Sequence, residues 1–296
     1  FNQLEFTQTQ FSTKVDQVVS DRHKFSGVIT RITRPRILAD AGGVWTNDAP
    51  YGGPFSRINN QERTTHMGRV AYNWTVSPTV LNHFVAALNR VYSPNISVHN
   101  KSGGAGILGI AGVDQKQNYP EIQWSGGDRV SLTAIGSAQH NILASTAYQY
   151  QNTLTWIRGR HSMKFGADHR RNYLSSLSEA GAAGRFTFSS TTTGLQNFSQ
   201  TGHPFAGFLL GEVTSASANQ SVPTTSEFLY WGVFAQDDIK LRRKLTLNLG
   251  LRWDYQPVQT ERHDRLHTFC TTCTDPQSRL PGAMLFAGSG PGRPGS

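Results

Sequence analysis

The chain has 296 residues, 37% hydrophobic and 16% charged, a balance that excludes both a helical membrane protein and a disordered polymer. No apolar run approaches about 18 residues, which excludes a transmembrane helix but not a membrane barrel, whose alternating strands average out in any hydropathy window. The net charge of +9 raises nucleic acid as a partner, but the basic residues are scattered, and no recognition helix, RNP motif or zinc spacing accompanies them, so no nucleic acid is expected.

Read along the chain, runs of period two are joined by tight turns and separated by long polar loops. The first hairpin is FSTKVDQ, a turn over 18–22, and HKFSGVITRIT, with Phe11, Thr13 and Val15 opposing Ser12, Lys14 and Asp16. A loop rich in Gly, Pro and Asn follows from Pro35 to about Asn60. The second hairpin is HMGRVAYNWT, a turn over 76–79, and VLNHFVAALNRVY, in which Val70, Tyr72 and Trp74 oppose Arg69, Ala71 and Asn73. A second long loop reaches to about Ala144.

The third hairpin is ASTAYQYQNTLTWI, a turn over 158–160, and HSMKFGADHRRNY. Tyr148, Tyr150, Leu154 and Trp156 align, and Met163, Phe165 and Ala167 oppose Lys164, Gly166 and Asp168. After an irregular stretch containing GRFTF and GEVTSASA comes EFLYWGVFAQDDIK, both faces of which are apolar, so its faces stay unassigned. A turn over 241–244 leads into KLTLNLGLRWDY. There Leu245, Leu247, Leu249 and Leu251 continue into Trp253 and Tyr255, against Thr246, Asn248, Gly250, Arg252 and Asp254. Twelve such residues at roughly 3.3 Å each reach about 40 Å, enough for a tilted strand to cross a bilayer. The aromatic pair at one end suits an interfacial girdle. The tail from about Glu261 ends in GSGPGRPGS and reads as loop.

Short turns at one end and long loops at the other are the asymmetry of an outer-membrane barrel, with periplasmic turns and extracellular loops. Other motifs weigh little. Gly104, Gly106 and Gly109 satisfy GxGxxG but lack a preceding strand, a following helix and a ribose-binding acid. His161 and His169 have no metal-ligand companion spacing, and Asp237 and Asp238, adjacent on a strand, point to opposite faces. No nucleophile elbow, P-loop or kinase set is present, so neither an enzyme nor a cofactor is expected. Cys270 and Cys273 in FCTTCTDP form one CxxC without a second pair; a local loop disulfide in an oxidising compartment is preferred to two free thiols.

Four stretches together resemble one family, the Oar-like TonB-dependent receptors of bacterial outer membranes. They are LGIAGVDQKQNYPEIQWSG, NTLTWIRGRHSMKFGADHRR, GRFTF followed by TGHPFAGFLLG, and WGVFAQDDIKLRRKLTLNLGLRWDY, in this order between residues 108 and 255. The resemblance implies a large barrel, closed by an N-terminal plug and coupled through a Ton box to an energy-transducing inner-membrane complex. With Phe1 in place of an initiator Met, and no plug or Ton box in view, the chain reads as a piece of a longer protein.

The expected fold is all-β: an antiparallel up-and-down transmembrane β-barrel, partial, with about eight to ten strands of a larger barrel. Residues 1–260 form the partial outer-membrane barrel with long extracellular loops, and 261–296 a Gly/Pro-rich surface loop, truncated. The expected function is part of a TonB-dependent receptor that takes up a bulky solute, its partners being outer-membrane lipid and the TonB-type complex. An adhesion or secretion protein using the barrel as an anchor is the alternative. Alternation makes Lys164, Asp168, Arg170, Arg252 and Asp254 lumen-facing candidates, and Leu245, Leu247, Leu249, Leu251 and Trp253 lipid-facing candidates.

Overall fold

A ribbon with one oily and one wet face satisfies its backbone donors and acceptors only by pairing with neighbours. The computed structural model describes residues 7–39, 56–126, 132–136, 139–179, 181–198, 201–275, 278–290 and 293–294. Eight long strands pair in sequence order, each antiparallel to its neighbour: β1 (Thr9–Ser20), β2 (His23–Arg34), β3 (Arg63–Ser77), β4 (Val80–Ser97), β5 (His140–Arg158), β6 (His161–Ser178), β7 (Thr224–Arg242) and β8 (Leu245–Tyr255). This is an up-and-down barrel wall, not closed among the described residues.

The four hairpins turn at one end, each through two residues: Asp21–Arg22, Pro78–Thr79, Gly159–Arg160 and Arg243–Lys244. The turns are tighter than the alternation suggests. Three of the incoming strands carry a bulge, at Val18/Ser20, Thr75/Ser77 and Lys240/Arg242. An inserted residue breaks the period of two while it adds twist, so Val18, Val19 and Ser20 belong to β1 although they read as turn. Strands β5 and β7 run for 19 residues each. Spanning a bilayer takes about 9–11 residues, so these strands continue past the crossing length on the long-loop side.

On that side the long connections fold onto one another. Glu121–Ser125 pairs in parallel with Arg185–Ser189, which pairs antiparallel with Ser215–Ser217. The helix Pro204–Leu210 starts where His203 Nδ1 accepts the Phe205 N–H at 3.2 Å, and ends at Gly211, whose φ of 73° relieves the left-handed turn. Phe205 and Phe208 of this helix pack against Trp124, and Phe208 also against Phe188, with ring centroids 5.1–6.0 Å apart. Pro120, Ile122, Ala183, Phe188 and Pro204 are buried here, so the tightest core lies in the loop module and not in the barrel wall. Its hub is Glu121, 5% exposed, which receives Arg185 Nε at 2.9 Å, Gln123 Nε2 at 3.0 Å and Arg57 Nη1 at 3.4 Å, so three separate connections meet on one carboxylate.

The glycine run GGAGILG forms a four-residue helix, Gly104–Ile107, entered from a turn and not from a strand, as its weak dinucleotide match suggests. Past β8, Glu261 is buried and accepts the backbone N–H groups of Thr225, Arg265 and His263 at 2.7, 2.8 and 2.9 Å. The tail, expected as loop, holds a hairpin of His267–Thr274 with Pro281–Phe286. Cys270 and Cys273 are disulfide-bonded within its first strand.

Candidate functional site

Strand register carries each face across the whole sheet. One row runs Trp253, Val233, Ala167, Asn152, Phe84, Tyr72 and Phe25, and belongs to the face that also carries Leu245, Leu247, Leu249 and Leu251. The row beside it, on the opposite face, reads Asp254, Gly232, Asp168, Gln151, Val85, Ala71, Ser26 and Asp16. The wall thus has an apolar face of Leu, Val, Phe, Trp and Tyr side chains and a polar face of small and charged ones. Large apolar residues stand exposed on the first, among them Ile29, Val70, Phe165, Val233 and Leu251. Thr30, Ala71, Val85 and Asp168 are buried on the second. Thr146 is buried on the apolar face because Arg90 lies over it, its Nη1 donating to Thr146 Oγ1 at 3.2 Å.

Five polar-face side chains gather where β6, β7 and β8 run together. Arg252 Nε donates to both carboxylate oxygens of Asp254 at 2.9 Å, and Arg252 Nη2 donates to the Tyr230 hydroxyl at 2.7 Å. That hydroxyl in turn donates to Asp254 Oδ1. On β6, Arg170 Nε donates to Asp168 Oδ2 at 3.0 Å, and the Arg170 guanidinium lies 5.1 Å from the centre of the Tyr230 ring. Gln149 of β5 adds a contact to Asp168 at 3.4 Å. The two ion pairs flank one tyrosine.

A gap in the sheet surface makes this fit. A Cβ at Gly232 would come within 2.7 Å of the Tyr230 hydroxyl, 2.9 Å of Asp254 Oδ1 and 3.0 Å of Arg252 Nη2. Glycine serves there by leaving room for close approach, not by its dihedral freedom. The same device recurs next door, where the Phe234 ring covers Gly166. Chemically, the site offers two guanidinium groups with unused donors and two carboxylates held beside an aromatic ring. Arg170, Arg252 and Asp254 each keep close to half of their side-chain surface exposed. Such a surface binds polar or charged solutes by multiple hydrogen bonds. Among the described residues no cluster of His, Cys, Asp and Glu suited to a metal ion exists.

Of the candidates read from alternation, Asp168, Arg170, Arg252 and Asp254 come together. Lys164 shares their face but pairs with Gln236 and Thr155 nearer the turns, outside the cluster. Tyr230 and Gln149 escape sequence reading. EFLYWGVF is apolar on both faces, so Tyr230 acquires its face only through register with β6 and β8. The signal that could find it is an Arg and an Asp two apart on one strand face, which leave a hydrogen-bonding vacancy for a phenol.

The outer membrane beta barrel domain family matches the chain over residues 1–296. The fold is similar to that of the outer membrane transporter YddB from Escherichia coli, with a TM-score of 0.54 and 10% sequence identity. The likeness covers 86% of this chain and 28% of that one, so the chain spans under a third of the transporter's length. No curated protein sequence matches it.

Proposed function

We propose, for a chain that belongs to the outer membrane beta barrel domain family, that it forms part of the wall of an energised receptor importing a bulky solute. The bacterial outer membrane is its location, and lipid surrounds its apolar face. In this reading the polar face lines the lumen, and coupling to an energy-transducing TonB-type complex runs through other parts of the full-length protein. The observation that carries it is the pair of ion pairs around Tyr230, organised on the polar face of a wall whose strands exceed the length of a membrane crossing. A rigid, half-exposed array of donors and acceptors suits transient contacts with a passing polar solute, because each contact is modest and multiple.

The test uses cells that carry the full-length receptor with Arg170→Ala and Arg252→Ala together. Uptake of labelled ferric chelates, cobalamin and oligosaccharides is compared with wild type at equal surface amounts, with and without a protonophore. The reading predicts protonophore-sensitive uptake of one solute class, reduced in the double variant. Uptake of none of them, with attachment of cells to surfaces lost on deletion, favours the anchor reading. That alternative draws support from the folded loop module, which offers a defined contact surface beyond the strands.

A further inference from the structure

The apolar face holds a hollow of about 480 Å³ on the outside of the wall. It spans two adjacent rows of that face. One row is Thr13, Ile29, Gly68, Leu88 and Tyr148; the other is Val15, Gly27, Val70, Ala86 and Tyr150. Gly27, Gly68 and Ala86 are its low points, Val70 stands between Gly27 and Ala86, and Val15, Ile29, Leu88, Tyr148 and Tyr150 rise on the other sides. The volume is in the range of small-ligand pockets, roughly 300–1,000 Å³.

The next row on the same face, immediately toward the long loops, is Phe11, Arg31, His66, Arg90 and Thr146. Three basic side chains therefore stand side by side on β2, β3 and β4, all exposed. Arg31 and His66 make no side-chain hydrogen bond or ion pair among the described residues, and Arg90 donates only to the Thr146 hydroxyl. The other arginine of this region of the face, Arg171, is already neutralised by Glu227 at 2.6 Å. An uncompensated guanidinium is poorly tolerated in hydrocarbon and tolerated at the interface. The basic row therefore lies at headgroup level, and the hollow lies just inside the acyl region.

We infer that Arg31, His66 and Arg90, with the hollow below them, form a site for one phosphorylated lipid of the leaflet on the long-loop side. The guanidinium groups take the phosphate in charge-assisted hydrogen bonds, and an acyl chain lies over Gly27 and Gly68. A second copy of the chain is disfavoured as occupant, because a symmetric contact would place this basic row against its own like. The inference rests on the membrane placement of the strands and not on the transport reading.

The experiment is native mass spectrometry of the full-length protein, purified in detergent and incubated with bisphosphorylated lipid A, its dephosphorylated form, phosphatidylcholine or inorganic phosphate. The variants are R31Q/H66Q/R90Q and Gly68→Leu. A Cβ at Gly68 meets nothing within 4 Å, so a side chain can leave the backbone there and extend into the hollow. Wild type should retain lipid A roughly tenfold or more better than the triple variant. Gly68→Leu should weaken retention as well, and dephosphorylated lipid and phosphatidylcholine should not distinguish the proteins. Equal retention of lipid A by wild type and triple variant overturns the site. Full competition by inorganic phosphate shows a bare anion surface and overturns the acyl part. A dimer mass abolished by Gly68→Leu identifies a second copy as occupant and overturns the lipid altogether.

Discussion

Tyr230 donates its phenolic hydrogen to Asp254 across the β7–β8 ladder, although the residue directly opposite Asp254 is Gly232. The bond is diagonal, and it passes over the one position in its path that has no Cβ. Arg252 closes the arrangement by donating to both partners.

Gly232→Ala should therefore break the cluster. Its methyl group would meet the far ends of all three side chains, which must swing aside and lose their mutual hydrogen bonds, at a cost of about 1 kcal/mol. Gly250→Ala is the control: it lies on the same face of β8, and its Cβ would meet only the Ala235 carbonyl at 3.8 Å. Urea unfolding of the full-length protein from liposomes should separate the two. Equal stabilities would show that the tyrosine contact is dispensable.

Leu249→Arg tests the outward face. Leu249 is 53% exposed in a row of leucines, and an arginine near mid-membrane costs about 2–4 kcal/mol. Asn248→Arg, one residue earlier on the polar face, should be close to neutral. Folding free energies into bilayers measure both, and a smaller cost at 249 than at 248 would reverse the assignment of the faces.

Glu121→Gln should loosen the loop module and leave the barrel wall intact. The carboxylate is 6% exposed at its side chain and faces Arg57 and Arg185, so neutralising it removes the charge on which both guanidinium groups converge. Because both guanidinium groups are partly exposed and Gln keeps hydrogen-bonding atoms in place, the cost should be about 1–2 kcal/mol, below that of breaking a fully buried pair. Limited proteolysis should then cut within 98–139 and 179–223, with the strand fragments preserved.

Glu261 lies past the last long strand, and its titration predicts a pH dependence. Burial raises its pKa, but the backbone N–H groups of Thr225, Arg265 and His263 outweigh burial and hold the carboxyl below its ordinary value of 4.5. A carboxyl depressed by folding stabilises above its unfolded pKa, and the contribution is lost as pH falls through the lower, folded one. Exchange protection of the Thr225 and His263 amides should be intact at neutral pH and weaken below about pH 4.5. In Glu261→Gln that step should vanish.

Cys270 and Cys273 test the orientation of the wall. Their hairpin follows β8, whose start is the Arg243–Lys244 turn, so it emerges at the long-loop end. After mild reduction a membrane-impermeant thiol reagent should label them on intact cells. Labelling that requires breaching the outer membrane would place the long loops in the periplasm.

Alternation determined the strands, their hairpin partners and, except in the EFLYWGVF stretch of β7, the division into two faces, because a period of two maps directly onto sides of a ribbon. Leu245 to Trp253 and the opposition of Lys164 and Asp168 to Phe165 are legible for that reason. Which side chains meet across strands is a different matter, since register depends on turn geometry and bulges that have no periodic signature. Only the tertiary structure brought Tyr230 to Asp254. The loop module was equally hidden: its order arises from Glu121, Trp124, Phe188 and Phe208, contributed by two connections far apart in the chain and joined by contacts that no local pattern encodes. The hollow over Gly27 and Gly68 likewise exists only because register sets two strands' glycines in neighbouring rows, below a row of basic side chains contributed by three.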